Sequence, residues 1–408
     1  MCCLRNIFPE VVVFFVLSLL INLGISFKLP SGGYIVYCPC MGRLGNQIEQ
    51  FLGMLAFSKQ INRTLILPPW NIMDEFGAKF IHFDRLFRPS TLNTYHRCLL
   101  MEEFMKTLAP QIWPLGKRAV LCYAPRYGSQ QNDCNAKEGS PFGPFWSKFG
   151  ISFDSSLFYS PLTVDSPYSD WEKLFPLRQF PVLAFVSAPS PFPAHLNNQR
   201  LHYFIDWSEE MDKRTDLFIR EFFVLPFVAI HLRNGEDFGI ACNLLKDGVR
   251  RLFSSAQCHG EQFQYPPYQL TSEMCSPSLQ NILSLLRYAI KLIGARSLFV
   301  ATDNKPPMAE IQSHLRETDV KKIIWMPDRQ PQEDLAMLGR ANLAILNCVS
   351  SFSAAAKRER DHRQLPTMFW GLRIEEQRAL QLPLSSNRNS SVCLNEPLKF
   401  DRACSILV

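Results

Sequence analysis

Tyr37-Cys38-Pro39-Cys40-Met41-Gly42-Arg43-Leu44-Gly45-Asn46-Gln47 is the stretch that decides how the rest of the chain is read. The run that leads into it, Tyr34 to Tyr37, is β-branched and aromatic and predicts a strand. After it, Ile48, Phe51, Leu52, Leu55 and Ala56 recur at i, i+3, i+4, i+7 and i+8, the apolar stripe of a helix. Thr64 to Leu67 predicts a second short strand, stopped by Pro68 and Pro69. The order is strand, glycine loop, helix, strand. Gly42 and Gly45 let the backbone come close to a ligand, and a helix N-terminus presents N–H groups to an anion. Arg43 adds a charged fork. A tight βα turn with an exposed Arg would show the same spacing, because Gly-x-x-Gly is short and common.

With 408 residues the chain is comfortable for two domains. A content of 47% hydrophobic and 20% charged residues marks it as globular rather than disordered. The net charge is +6, but no dense Lys/Arg run of the nucleic-acid-binding kind occurs. Mild basicity suits an anionic small substrate.

Residues 1–27 read as a targeting segment. Arg5 gives a weak positive start, Val11 to Leu23 is an apolar core broken only by Ser18 and Asn22, and Gly24 and Ser26 fit a cleavage site. The apolar run is short for a span of roughly 20 residues, so a cleaved signal is expected, with a signal anchor as the alternative. No later stretch is apolar enough to span a bilayer. Secretory entry makes the cysteines disulfide candidates. Of 13, Cys2 and Cys3 leave with the signal. The odd remainder implies a free thiol or an intermolecular bond. Zinc fits poorly, because Cys38-x-Cys40 has no matching second pair or His-x-His partner. Asn62 and Asn389 begin N-glycosylation sequons.

Further along, residues 71–120 mix short helical and loop signals, and residues 124–150, rich in Gly, Pro, Asn and Ser, read as a long surface loop. Pro189, Pro191 and Pro193 put a domain boundary at residues 188–200. A second alternating block follows. Val224 to Leu232 reads as a buried strand. Ser276 reads as the cap of a helix with Pro277 in its first turn, carrying Leu279, Ile282, Leu283, Leu286, Ile290 and Ile293, with Gly294 as its stop. Leu298 to Ala301, Ile323 to Trp325 and Leu343 to Leu346 read as strands. Glu333 to Arg340 and Ser353 to Arg360 read as helices. Strands alternating with helices imply parallel sheets, and two such blocks imply two Rossmann-like domains facing a central cleft. Ligands of such sheets bind at the carboxyl ends of strands, where Arg43, His231, Arg233 and Ser350 to Phe352 fall. Residues 374–408 read as a polar tail.

His231 and Arg233, two apart at a strand exit, are expected on one face, able to grip a diphosphate; a surface pair is the plainer reading. Ser351 and Phe352 start a helix whose amides could hold phosphate oxygens. Asp334 is one carboxylate among 37 acidic residues and means nothing alone, although as a reader of guanine it would accept from two adjacent N–H donors. Lys357-Arg358-Glu359-Arg360-Asp361 reads as a solvated helix face. No Asp-x-Asp occurs. A sugar-nucleotide enzyme built on this chain would neutralise its leaving diphosphate with Arg and helix dipoles, not with a dicarboxylate-held metal.

Taken together, Cys38 to Gln47, Asn62-Arg63-Thr64-Leu65, Pro68-Pro69-Trp70, Pro141-Phe142-Gly143-Pro144-Phe145-Trp146, His231-Leu232-Arg233, Leu245-Lys246-Asp247-Gly248, Ala301-Thr302-Asp303, Asn347-Cys348-Val349-Ser350-Ser351-Phe352 and Lys357 to Asp361 resemble the protein O-fucosyltransferases that modify EGF-like repeats. The likeness runs from about residue 31 to 373.

The resemblance implies a GT-B-like α/β fold, with residues 28–200 and 201–373 as its two domains. It implies inverting transfer of fucose from GDP-β-L-fucose to Ser or Thr of folded EGF-like repeats, as in Notch receptors and their ligands. Arg43, Leu44, Gly45 and Asn46 would line the donor, with Asn46 beside the acceptor hydroxyl. His231, Leu232 and Arg233 would hold the diphosphate, and Arg233 would stabilise the departing charge. Asp334 would read guanine, and Ser351 and Phe352 would close the nucleotide pocket. The family shows no obvious general base there, so a leaving phosphate oxygen would accept the proton. No cofactor or metal is required, although Mn²⁺ stimulation is open. The expected state is a monomer in the endoplasmic reticulum lumen. The resemblance further implies disulfides Cys38–Cys40, Cys122–Cys134, Cys242–Cys275 and Cys258–Cys348, leaving Cys98, Cys393 and Cys404.

Three departures stand out. Leu44 replaces a frequent Phe, Phe238 replaces a Trp, and the chain ends Ser405-Ile406-Leu407-Val408 instead of in a retrieval tetrapeptide, which puts retention in question. Two other functions would use the same chain: fucosylation of thrombospondin-type repeats, and non-catalytic chaperoning of EGF-like repeats.

Overall fold

Short apolar runs bounded by turn residues make the sheets, and burial on both faces explains why they read as continuous instead of alternating. The computed structural model describes residues 32–74, 77–125, 133–249, 252–259 and 270–373. The expected targeting segment, the tail with Asn389, Cys393 and Cys404, and residues 126–132 of the expected loop lie outside them. The chain divides into two compact units. The first holds the described residues up to Phe218 with Gln330–Ala336, and the second holds Ile219–Arg329 with the residues from Met337 on. Among the described residues, no helix is long and apolar enough to cross a membrane.

The first unit opens with β1 (Tyr34–Tyr37), α1 (Leu44–Gln60) and β2 (Thr64–Leu67), the three elements that flank the glycine loop. An antiparallel hairpin follows, β3 (Trp70–Asp74) with β4 (Gly77–Ile81). Then β5 (Cys98–Leu100), β6 (Ala119–Cys122), β7 (Ser155–Phe158) and β8 (Val182–Phe185) complete a parallel six-stranded sheet in the order β5-β2-β1-β8-β6-β7. So residues 71–120 supply a hairpin and two sheet strands besides short helices such as Pro89–Tyr95 and Met101–Thr107.

Helix α1 buries more than its apolar stripe. Gln47, Glu49, Gln50 and Ser58 are buried as well. The proline-rich connection explains part of this. Ala194 N–H donates to Glu49 Oε2 at 3.0 Å, and a Cβ on Gly53 would collide with Ser190 Oγ. Residues 188–200 are thus packed on α1 inside the first unit, and the division falls later, between Phe218 and Ile219, within α3 (Glu209–Phe222). Prolines there stiffen a segment packed against a helix; they do not mark a free linker. The expected loop at 124–150 also needs correction. It contains α2 (Phe142–Lys148), whose Phe145 and Trp146 are fully buried. Gly143 and Pro144 disguise it, but proline costs little in a first turn.

The second unit is built on β9 (Phe227–Leu232). It starts after Pro226 instead of at Val224, because Val224 N–H and C=O both bond Ser297 Oγ, at 2.9 and 3.0 Å, and proline has no N–H for the ladder. Helix α4 (Glu236–Asn243) follows, and the long α5 (Leu279–Ile293) packs on the sheet through Ile282, Leu286 and Ile290. Its cap is Ser278, whose Oγ accepts Asn281 N–H at 3.3 Å, two residues later than the expected Ser276. Pro277 therefore precedes the helix, and Gly294 ends it at φ +62°. Strands β10 (Ser297–Thr302) and β11 (Lys322–Ile324), helix α6 (Pro331–Arg340), β12 (Leu343–Leu346), helix α7 (Ser351–His362) and β13 (Thr367–Phe369) follow. The sheet is parallel throughout, ordered β11-β10-β9-β12-β13.

The structure pairs Cys38 with Cys40, Cys122 with Cys134, Cys242 with Cys275 and Cys258 with Cys348; Cys98 is a buried free thiol. Asn62 is exposed in a left-handed turn at φ +55°, and its Oδ1 accepts from Arg97 Nη2 at 2.9 Å.

Candidate functional site

In the first unit, the carboxyl end of β1 runs through the Cys38–Cys40 pair into an exposed Met41-Gly42-Arg43 turn. Gly42 sits at φ +78°, and a Cβ there would come within 2.7 Å of Asn46 Cβ. Glycine is required on both counts: the backbone is left-handed, and the Asn46 side chain occupies the space. Arg43 is the extended residue before α1, with φ −83° and ψ 179°. Leu44 and Gly45 are buried beneath it, and Asn46 is half-buried in the helix's first turn. These four expected residues therefore lie together on one turn.

Gln47, which sequence analysis assigned no role, holds that turn. Its Nε2 donates to Gly42 O at 3.1 Å and to Asn71 O at 2.7 Å, and its Oε1 accepts Asn71 N–H at 3.0 Å. Its own backbone N–H reaches Arg43 O at 3.1 Å.

In the second unit, three strand ends carry the other candidates. Leu232 is buried in β9, and His231 is only 4% exposed. Its Nδ1 lies 2.6 Å from Ser353 Oγ, and its ring centroid 5.0 Å from that of Phe352. Burial, with Arg233 adding repulsion, lowers its pKa to about 3. The imidazole is neutral, so it can serve a phosphate as a hydrogen-bond donor and not as a cation.

Arg233, just past β9, has other partners. Its Nη2 pairs with Asp237 Oδ2 at 2.9 Å, its Nη1 pairs with Asp303, and its guanidinium lies 4.9 Å above the Phe238 ring. His231 and Arg233 thus use separate surroundings. Asp303 Oδ1 also accepts the N–H groups of Asn234 and Gly235, at 2.9 and 3.1 Å. A Cβ on Gly235 would come 2.5 Å from Asp303 and 2.7 Å from Arg233 Nη1, so that glycine lets the charges converge. Sequence analysis assigned no role to Asp237 or Asp303; the i+4 spacing of Asp237 from Arg233 and the place of Asp303 just past β10 are the signals that could have found them.

At the third strand end, Asn347 is fully buried and shapes the approach to α7. Its Nδ2 donates to Cys275 O at 2.7 Å, its Oδ1 accepts Val349 N–H at 3.0 Å, and its backbone N–H donates to Ser353 Oγ at 3.0 Å. Ser350 precedes α7 without a side-chain cap, and the helix starts at Ser351 and Phe352; a helix N-terminus is a natural seat for phosphate oxygens.

Asp334 lies in the first turn of α6, half-buried, within the segment assigned to the first unit. The far end of that helix is gripped by Arg360. Its Nη1 donates to Leu338 O and Ala341 O, each at 2.7 Å, and its Nη2 to Pro366 O at 2.5 Å. Arg360 is completely buried and Glu359 nearly so, which corrects the expectation of a solvated charged face. Only part of that run is solvated, as in the surface ion pair Lys357–Asp361. Among the described residues, no three His, Cys, Asp or Glu side chains gather as a possible metal-ligand set.

A family model described as "GDP-fucose protein O-fucosyltransferase" matches residues 34–363. A curated Caenorhabditis elegans protein, "GDP-fucose protein O-fucosyltransferase 1", is 39% identical over 362 residues, covering 85% of this chain and 92% of that one. Crystal structures of POFUT1, in the apo form and in complex with GDP-fucose, each superpose with a TM-score of 0.79 at 39% identity. Each match covers 85% of this chain and 99% of the other. The expected α/β, GT-B-like fold class agrees with these matches.

Proposed function

The chain belongs to the GDP-fucose protein O-fucosyltransferase family, and from that premise we propose that it transfers fucose from GDP-β-L-fucose to a Ser or Thr hydroxyl of folded EGF-like repeats, with inversion. The observation that carries this reading is the 39% identity to a protein of that name along 85% of the chain, in a match that spans the glycine loop and all three strand-end clusters.

The site residues suit the chemistry. The bond from the sugar's anomeric carbon to the β-phosphate oxygen breaks, and a bond to the acceptor oxygen forms on the opposite face. The acceptor's proton ends on the departing phosphate oxygen. An oxocarbenium-like transition state rewards stabilisation of the leaving group more than deprotonation of the nucleophile. Arg233 supplies charge, exchanging carboxylate partners for phosphate. Neutral His231 and the α7 amides at Ser351 and Phe352 supply hydrogen bonds without adding charge. Asp334 reads guanine, Arg43 and Gly45 receive the donor, and Asn46 orients the acceptor hydroxyl. The setting is the endoplasmic reticulum lumen, the working state a monomer, and the acceptors are EGF-like repeats such as those of Notch-type proteins.

The test is the intact mass of a folded EGF-like repeat bearing Cys-x₄-Ser/Thr-Cys after incubation with the protein and GDP-fucose, beside a folded thrombospondin-type repeat. A gain of one deoxyhexose on the EGF-like repeat alone is expected. A gain only on the other repeat would replace the acceptor assignment. No gain on either, with GDP-fucose still bound, would leave a binding protein.

A further inference from the structure

We infer that Gln47 is the positioning residue of the glycine loop, acting through Gly42, Arg43 and Asn46. This rests on the proposed transferase reading for what Arg43 and Asn46 do, though not for the geometry.

Gln47 is 1% exposed, so it cannot itself touch a substrate. Both Nε2 protons are used, one on Gly42 O and one on Asn71 O, and Oε1 takes the Asn71 N–H. The two bonds to residue 71 imitate a strand pair, with a side-chain amide standing in for a backbone peptide. The third bond reaches Gly42, whose left-handed backbone and missing Cβ make room for Asn46. The Gln47 backbone N–H meanwhile closes the first helical bond, to Arg43 O. One residue therefore grips the loop at Gly42 and at Arg43.

The anchor on the other side is rigid. Residue 71 follows Trp70, whose ring packs on Phe51, Phe83 and Phe87 with centroids 5.4 to 5.7 Å apart. Placement passes from an aromatic cluster to the β3 backbone, to the Gln47 amide, and on to the exposed turn. Only an amide serves at this position. Leucine makes none of the three bonds, and a glutamate would turn two donors into acceptors facing carbonyl oxygens.

The experiment uses the full chain with Gln47→Leu and Gln47→Glu. Amide hydrogen exchange of the Met41–Asn46 peptide is expected to quicken about tenfold or more in both, with the β9 peptide unchanged, because the opening is local. Exchange at Met41–Asn46 that stays at the wild-type rate overturns the inference, whatever reaction the protein performs. Transfer is expected to fall about tenfold or more, since a misplacement near 1 Å can cost 10²-fold. In an Asn46→Ala background, Gln47→Leu should cost less than about twofold further, because the two act through one element. A full multiplicative loss there means a merely structural role and overturns it. If the wild-type protein transfers no sugar, the transferase reading falls and the exchange measurement alone decides Gln47.

Discussion

The Nδ1 of His231 lies 2.6 Å from Ser353 Oγ, and that same oxygen accepts the Asn347 N–H at 3.0 Å. One hydroxyl of α7 thus joins the β9 histidine to the backbone that leaves β12. A buried neutral histidine with a pKa near 3 also leaves a mark on stability. The unfolded chain, with an ordinary histidine near 6.5, binds more protons than the folded one between pH 6.5 and 3. The contribution is therefore complete above about pH 6.5 and is lost as pH falls toward 3. Denaturant unfolding at pH 7, 6, 5 and 4 should show a decline of a few kcal/mol in the wild type and a visibly shallower one in His231→Gln. Parallel declines would assign the slope to other groups.

Arg233→Ala should lower kcat/KM for transfer roughly 100-fold or more, the scale of losing a preorganised charge at a leaving group. Thermal unfolding should change little, because the side chain's ion partners are themselves partly exposed. Near-normal turnover would remove Arg233 from its proposed role.

Gly235→Ala tests the same constellation without touching a charge. Its Cβ would come 2.5 Å from Asp303 and 2.7 Å from Arg233 Nη1, so one of them must move. Transfer should fall about 10- to 100-fold, as for a misplacement near 1 Å. A kinetically silent Gly235→Ala would show that the tight convergence is not needed for turnover.

Arg360→Met should destabilise the second unit by about 3 kcal/mol or more, because the carbonyls of Leu338, Ala341 and Pro366 would lose their donor in a dry interior. The readout is the urea midpoint at constant m-value. A shift below about 1 kcal/mol would mean that water or a neighbour takes over the carbonyls.

Replacing Cys258 and Cys348 together by serine should cost about 2–4 kcal/mol, since the bond closes a sequence separation of 90 residues. Because Cys348 lies just ahead of Ser350–Phe352, GDP binding measured by calorimetry should weaken in the same variant. Unchanged affinity would show that Asn347 alone holds that turn.

Much of this was legible along the chain. The glycine loop, α1, β2, α5, β10, β12 and the start of α7 follow from period and punctuation, which are local. What was not legible depends on contacts distant in sequence. Gln47 and Asn71 are 24 residues apart, and nothing local distinguishes Gln47 from a surface glutamine. Arg360 reads as solvated because its neighbours are charged; two of the three carbonyls it serves come from the end of α6 and the residue after it, 19 to 22 residues earlier. Helix α2 hides behind Gly143 and Pro144, and only the burial of Phe145 and Trp146 reveals it. The prolines at 189, 191 and 193 mislead in the opposite sense, since they stiffen a packed connection. His231 was found by position but not by state: its neutrality comes from burial, and its Nδ1 partner is a serine 122 residues later.

The sheet order also sets a timetable for biosynthesis. Strand β1 holds four fully enclosed residues and has β2 on one side and β8 on the other, with Tyr34 opposite Val182. A nascent chain emerging from the ribosome completes β2 early, but β8 arrives almost 150 residues after β1. Until then Tyr34 to Tyr37 forms an open, apolar strand edge, the kind of template that pairs with other chains. During that interval the first unit should depend on a holding chaperone, and nascent chains arrested just before Val182 should bind one more strongly than those arrested beyond Phe185.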